Sequence, residues 1–176
     1  MLLAEVFYHH RASVWGVRIQ GDYVVTGSMD GTIALIDINT MQIKKHFLAH
    51  ENEWGSKFCE CIQKCKRAYF ATRNFSTFFC IPVSDLDTSK DVIVSGCFDR
   101  LLRIWSFPDC NLRLTIDAKH AVNCVSVCKE LAATCSRTGR STGTPNVIIW
   151  NIFTGDMVRA LDLPSACFVQ VSELGY

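Results

Sequence analysis

The stretch Asp91-Val-Ile-Val-Ser-Gly-Cys-Phe-Asp-Arg-Leu-Leu-Arg-Ile-Trp-Ser-Phe107 decides how this chain folds. It holds two short apolar runs, Val92-Ile93-Val94 and Leu101-Leu102 through Trp105, separated by a Gly-Cys-Phe-Asp turn. Runs this short, rich in β-branched and aromatic residues and bounded by turn residues, predict a β-hairpin. The apolar residues stand at consecutive positions instead of alternating, which suggests strands buried on both faces.

The same register recurs on either side. Asp22 to Ile38 reads DYVVTGSMDGTIALIDI, and Glu130 to Ile152 reads ELAATCSRTGRSTGTPNVIIWNI. In the first two copies Thr26 and Ser95 precede Asp30 and Asp99 by 4 positions, and Ile36 and Trp105 by 10. In the third, Thr134 precedes Trp150 by 16, so about six extra residues near Arg140 to Pro145 lengthen its turn. A histidine stands upstream of each copy: His10, His50 and His120. Repetition at a fixed register marks a chain built from stacked units. No amphipathic helical pattern of useful length occurs, so the expectation is an all-β repeat protein.

Composition sets the outer bounds. Among 176 residues, 49% are apolar and 20% charged, a globular composition that excludes a disordered tail. The net charge of +1 argues against the broad basic field of a nucleic-acid binder, so no nucleic-acid partner is expected. No stretch approaches the ~18 apolar residues of a membrane span. The start, MLLAEVFYHH, lacks the basic and apolar regions of a secretory signal, so an intracellular site, cytoplasmic or nuclear, is expected. The 10 cysteines then read as small buried apolar residues more readily than as bridges.

On these residues the chain resembles the WD-repeat family, over nearly its whole length apart from Ser56 to Pro82. The resemblance implies a partial β-propeller of four-stranded antiparallel blades, about three repeats plus a truncated one. It also implies a hydrogen-bonded tetrad of His, Ser or Thr, Asp and Trp inside each blade. The middle copy matches throughout with His50, Ser95, Asp99 and Trp105. The first has His10, Thr26 and Asp30, with Ile36 in place of Trp. The third has His120, Thr134 and Trp150, with Thr138 where Asp is expected. The closing Trp-Asp pair survives only as Ile36-Asp37, Trp105-Ser106 and Trp150-Asn151.

Two catalytic or metal readings compete with that structural one. Ser, His and Asp recur together, as in a hydrolase, but the set repeats in every copy without a nucleophile elbow or an oxyanion-hole motif. Cys59, Cys61, Cys65 and Cys80 could be imagined as zinc ligands, yet they form no C-x2-C pair and no His lies among them. The expectation is no catalytic residue, no metal and no cofactor.

Since a WD repeat takes about 40–45 residues and a propeller about 4–8 blades, the remaining blades are expected to lie outside this sequence. A strand is expected at Glu5 to His9 and the start of a further repeat at Cys167 to Tyr176. The segment 56–82 is read as a non-propeller insertion. His50 and Ser95 are 45 positions apart, against 16 and 14 for the flanking copies, and the 27 residues of 56–82 include four Cys and five Phe. One reading is a structured functional loop, which costs only modest closure entropy. The other is a retained intron: Ser56-Lys57-Phe58 can be encoded by AGT-AAG-TTT, which contains a splice-donor-like GTAAGT.

The resemblance implies a non-catalytic interaction scaffold that binds a protein or peptide at one end of the ring. Candidate contact residues are Met29, Phe98 and Arg137, each just before the turn Asp position, with Trp15 and Asn123 leading into the inner strands. The short links within Val17 to Tyr23 and Val125 to Leu131, and the long turn Ser136 to Thr144, look like those of F-box and WD-repeat proteins, the substrate receptors of cullin ubiquitin ligases. The alternative is a general WD scaffold in trafficking, signalling or RNA processing.

Overall fold

In the computed structural model, residues 9–50, 83–136 and 146–163 are described. Segment 56–82, Arg137, Thr138, the long third turn, Cys167 to Tyr176, the strand expected before His9 and the Cys59–Cys80 group lie outside them.

Twelve strands form three four-stranded antiparallel sheets. The first blade contains β1 (Val14–Gln20), β2 (Tyr23–Ser28), β3 (Thr32–Asp37) and β4 (Gln42–Leu48). The second contains β5 (Val83–Ser89), β6 (Val92–Cys97), β7 (Leu101–Ser106) and β8 (Leu112–Asp117). The third contains β9 (Cys124–Cys128), β10 (Leu131–Cys135), β11 (Val147–Asn151) and β12 (Met157–Leu161). Within each blade the strands lie in chain order, and the first strands of neighbouring blades, β1, β5 and β9, pack side by side.

The three copies are repeats in geometry as well as in letters. A β-bulge interrupts the pairing of the third and fourth strands at Leu35/Ile36, at Ile104/Trp105 and at Ile149/Trp150, the same register each time. Such a bulge adds local twist and re-aims the side chain beside it. The degraded Trp-Asp pairs find their role directly after it. Asp37 Oδ1 accepts the amides of Asn39 and Thr40, and Asn151 Oδ1 accepts those of Phe153 and Thr154. Ser106 Oγ accepts the Asn111 amide. Asp, Asn and Ser are interchangeable here because each offers a short side-chain acceptor to a turn.

Consecutive apolar residues are explained by stacking. Val25, Ile33 and Leu35 of the first blade meet Val83, Leu86, Ile93 and Trp105 of the second. Val94, Leu102 and Ile104 on the opposite face of the second blade meet Val125, Ile148 and Trp150 of the third. Full burial of a side chain such as Leu86 stabilises by roughly 2 kcal/mol. Two glycines let the sheets approach this closely: a Cβ at Gly27 would lie 2.6 Å from Leu86 Cδ2, and one at Gly96 would lie 2.6 Å from Val125 Cγ2. The outermost strands β4, β8 and β12 are largely exposed.

Candidate functional site at the loop end of the blades

In the first and second blades the turn between the second and third strands folds over a buried polar cluster, and these clusters fix the end of the molecule where Met29 and Phe98 stand. In the second blade the cluster is complete. His50 Nδ1 lies 3.1 Å from Asp99 Oδ2, His50 Nε2 lies 3.0 Å from Ser95 Oγ, and Trp105 Nε1 donates to Ser95 Oγ at 3.0 Å. The proton inventory assigns the directions. Ionised Asp99 only accepts, so the imidazole carries its proton on Nδ1, and Nε2 accepts from the Ser95 hydroxyl. Arg103 adds a fifth member that the sequence reading does not contain: its Nη1 donates to Asp99 Oδ2 at 3.0 Å and lies against His50 Nδ1.

These contacts set the ionisation. Burial opposes the charge on Asp99, but His50, the Leu101 amide and Arg103 outweigh it and hold the carboxyl at about 2. Burial pushes the His50 imidazole down, with Asp99 offsetting part of the effect. His50, Cys97 and Asp99 hold donor atoms within 4.8 Å of one another, the ligand spacing of a cation site. Their chemistry does not fit one. Arg103 already supplies the positive charge, both His50 nitrogens are engaged, and burial drives the Cys97 thiol far up, away from the thiolate a metal needs.

The first blade uses other parts. His10 Nε2 meets Thr26 Oγ1 at 2.7 Å, but Nδ1 meets Thr32 Oγ1 at 2.8 Å, and Thr32 in turn donates to Asp30. His10 and Asp30 are themselves 3.6 Å apart, so a threonine hydroxyl is inserted between them. Asp30 Oδ2 also accepts the Arg11 amide at 2.6 Å. Ile36 supplies no indole donor to Thr26.

The third blade corrects the expectation for His120. Trp150 Nε1 donates to Thr134 Oγ1 at 3.0 Å, as in the second blade. Yet the Thr134 hydroxyl turns to the Ile148 carbonyl at 3.3 Å, and among the described residues neither ring nitrogen of buried His120 has a hydrogen-bond partner. Burial pushes this imidazole down. The sequence has Thr138 at the position of the turn Asp, and no described carboxylate bonds the ring.

Above the clusters, Trp15 packs edge-to-face on Phe98, with centroids 6.5 Å apart and planes at 82°. The contact joins the start of β1 to the β6–β7 turn and so bridges two blades. Trp15 keeps 38% of its surface exposed, and Met29 and Phe98 are half-buried. Met29 is fixed by its amide, which donates to the Ser13 carbonyl at 2.9 Å, and Asn123 by its amide to the Cys135 carbonyl at 2.8 Å. The structure thus brings Trp15, Met29 and Phe98 to one end, with Asn123 at the equivalent lead-in of the third blade. Arg137 lies outside the described residues.

Sequence reasoning missed a second polar array, on the inner strands. Arg18 Nε donates to Asp87 at 2.9 Å, and Asp87 Oδ2 accepts the Val127 amide at 2.7 Å. Asp85 Oδ2 accepts the Val125 amide at 3.0 Å, and burial raises its carboxyl. The Asp-x-Asp of Asp85 and Asp87 is the signal that could have found it, since alternate residues of a strand share a face.

Three stacked four-stranded sheets with these clusters define a partial β-propeller of the WD type. Residues 2–37 match the family model described as WD domain, G-beta repeat, and the described blades have the fold of WD-repeat propellers. Among solved structures, the computationally designed Ika4 protein superposes with a TM-score of 0.62 at 18% identity, over 92% of this chain and 81% of that one. U3-55K superposes with a TM-score of 0.62 at 13% identity, and the WD40 repeats of RRP9 with 0.62 at 14%. Each covers 89% of this chain, which spans 41% of either of those two. No curated protein matches the sequence. WD-repeat propellers are generally protein-interaction scaffolds and typically non-catalytic.

Proposed function

We propose that this chain is a non-catalytic, intracellular interaction scaffold that binds a protein or peptide at the loop end of its blades. The observation that carries the reading is the Trp15–Phe98 contact beside Met29, an aromatic and thioether surface held by two blades and partly open to solvent. Aromatic residues and Met are enriched where proteins bind partners. Beneath it, Ser95 and His50 of the second blade are fully buried and bonded to Asp99 and Trp105, so this cluster presents no nucleophile to solvent. Arg137, which holds the corresponding position of the third repeat in the sequence, offers a planar donor fork suited to carboxylate or phosphate.

The finer reading is a substrate-receptor propeller of a cullin-type ubiquitin ligase. It is supported by the links between the first two strands, which are two residues long in all three blades: Gly21-Asp22, Lys90-Asp91 and Lys129-Glu130. Affinity capture from cells with the product of the whole gene tests both levels. Trp15→Ala, Phe98→Ala and Arg137→Ala should each lower partner capture with an unchanged melting temperature, and unchanged yields would reject the surface. Cullin subunits in the captured material support the receptor reading; partner capture without them leaves the general scaffold.

A further inference from the structure

Three histidines cluster in the first blade, and two of them, His10 and His46, converge on one hydroxyl. The ring centroids of His9, His10 and His46 are 5.2, 5.4 and 6.1 Å apart, with His10 in the closer two pairs. His10 Nδ1 lies 2.8 Å and His46 Nε2 lies 3.0 Å from Thr32 Oγ1, which is 2.5 Å from Asp30 Oδ1. His9 and His46 have no counterpart in the other two blades.

A proton inventory fixes the neutral state of this array. The Thr32 hydroxyl has one proton, and ionised Asp30 can only accept it, so both imidazoles must donate to Thr32. His10 therefore carries its proton on Nδ1 and accepts the Thr26 hydroxyl on Nε2. Every polar atom on Thr32 is then used with all three rings neutral. Protonating His10 turns Nε2 into a donor and forces the Thr26 hydroxyl to reverse. Protonating His46 or His9 places a second charge within about one ring diameter of the first. Among the described residues, Asp30 on the β2–β3 turn is the carboxylate that faces the rings. On the lead-in, Arg11 is a cation; on β4, Lys44 is paired with Asp37 at the far end of β3, and Lys45 is a further cation. One carboxylate cannot compensate three imidazoliums. Burial, and for His9 the neighbouring His46, already push His9 and His10 down, with Asp30 opposing.

The same cluster holds the lead-in segment 9–13 onto the β2–β3 turn. The Arg11 amide donates to Asp30, the Met29 amide donates to the Ser13 carbonyl, and the Ser28 hydroxyl donates to the Ala12 carbonyl. Two residues beyond Ser13 stands Trp15. We propose that His10 and His46 on the Thr32 hydroxyl, with His9 packed against both rings, form an acid-sensitive latch, whose protonation releases segment 9–13 from the β2–β3 turn of the first blade. The sheets themselves stay folded as it opens, because their stacking cores lie on other faces.

Amide hydrogen exchange of the whole chain, normalised to intrinsic rates, tests this. Between about pH 7.5 and 5.5, protection of the Arg11 and Met29 amides should fall about tenfold or more, while that of Ile93 and Val94 in β6 holds. The double variant His9→Gln and His46→Gln keeps an amide donor near Thr32 and takes up no proton at either substituted position, so charge can no longer accumulate beside His10. It should keep the protection at neutral pH and lose most of the acid response. Constant protection of Arg11 and Met29 across the range, loss shared equally with β6, or a native acid response in the double variant would each overturn the latch.

Discussion

Arg18 of the first blade and Asp87 of the second are joined by a 2.9 Å hydrogen bond between inner strands, and the same carboxylate holds the Val127 amide of the third. One side chain thereby ties three sheets that share no backbone ladder.

Asp87→Ala removes the acceptor from Arg18, from the Val127 amide and from the Thr88 amide together. The expected cost is about 1–3 kcal/mol in denaturant unfolding. Arg18→Met should cost about 1 kcal/mol or less, because its guanidinium is partly solvated. Equal losses for both would show that the pair, and not the Asp-to-amide stitch, dominates.

His50 and His120 occupy equivalent positions with opposite partnering. His50→Phe strands Asp99 beside a ring that cannot donate, and should cost about 3 kcal/mol or more. His120→Phe removes two buried nitrogens that have no partner, and should be neutral within about 1 kcal/mol or stabilising. Thermal melts of the two variants side by side decide this; a large loss at 120 would mean that the ring is satisfied in solution.

Overpacking between sheets should be severe at Gly96. A Cβ there would collide with Val122 and Val125, both in the core between the second and third blades. Gly96→Val should destabilise by about 1–3 kcal/mol, and pairing it with Val125→Ala should restore part of that. Unfolding curves for the single and double variants measure the rescue.

Acid should act in two stages of the same sign. His10, His50 and His120 have imidazoles held below 6.5, so the unfolded chain binds more protons and stability falls as pH drops under that value. Asp99 is held at about 2 against 3.8 unfolded. Its contribution is therefore whole above about pH 4 and is lost only as pH falls toward 2. A pH series of unfolding free energies should show the first decline below pH 6.5. Asp99→Asn should remove the steep second one.

Much of the fold was legible because it repeats. Thr26, Ser95 and Thr134, with Ile36, Trp105 and Trp150, kept their register, and a strand's side-chain direction follows from its position by a period of two. The three-bond chain Asp99–His50–Ser95–Trp105 was implied by the WD-repeat resemblance: Ser95, Asp99 and Trp105 sit at fixed offsets around one turn, while His50 stands 45 positions before Ser95. What the letters could not supply was any relation across blades or across a turn. Thr32 lies two residues beyond Asp30 and reads as an ordinary strand residue until the fold sets its hydroxyl between His10 and the carboxylate. His46 belongs to an outer strand and reaches the cluster only because β4 pairs with β3, opposite Ala34. Arg18 finds Asp87, 69 positions away, only because inner strands meet at the centre of the stack. His120 shows the converse: its position in the sequence matched a tetrad, but an imidazole joins one only where a carboxylate orients it. Local periodicity determined the sheets and the turn acceptors; the partners of each charged or titratable side chain were decided by tertiary packing, because electrostatics depends on distance through space and not along the chain.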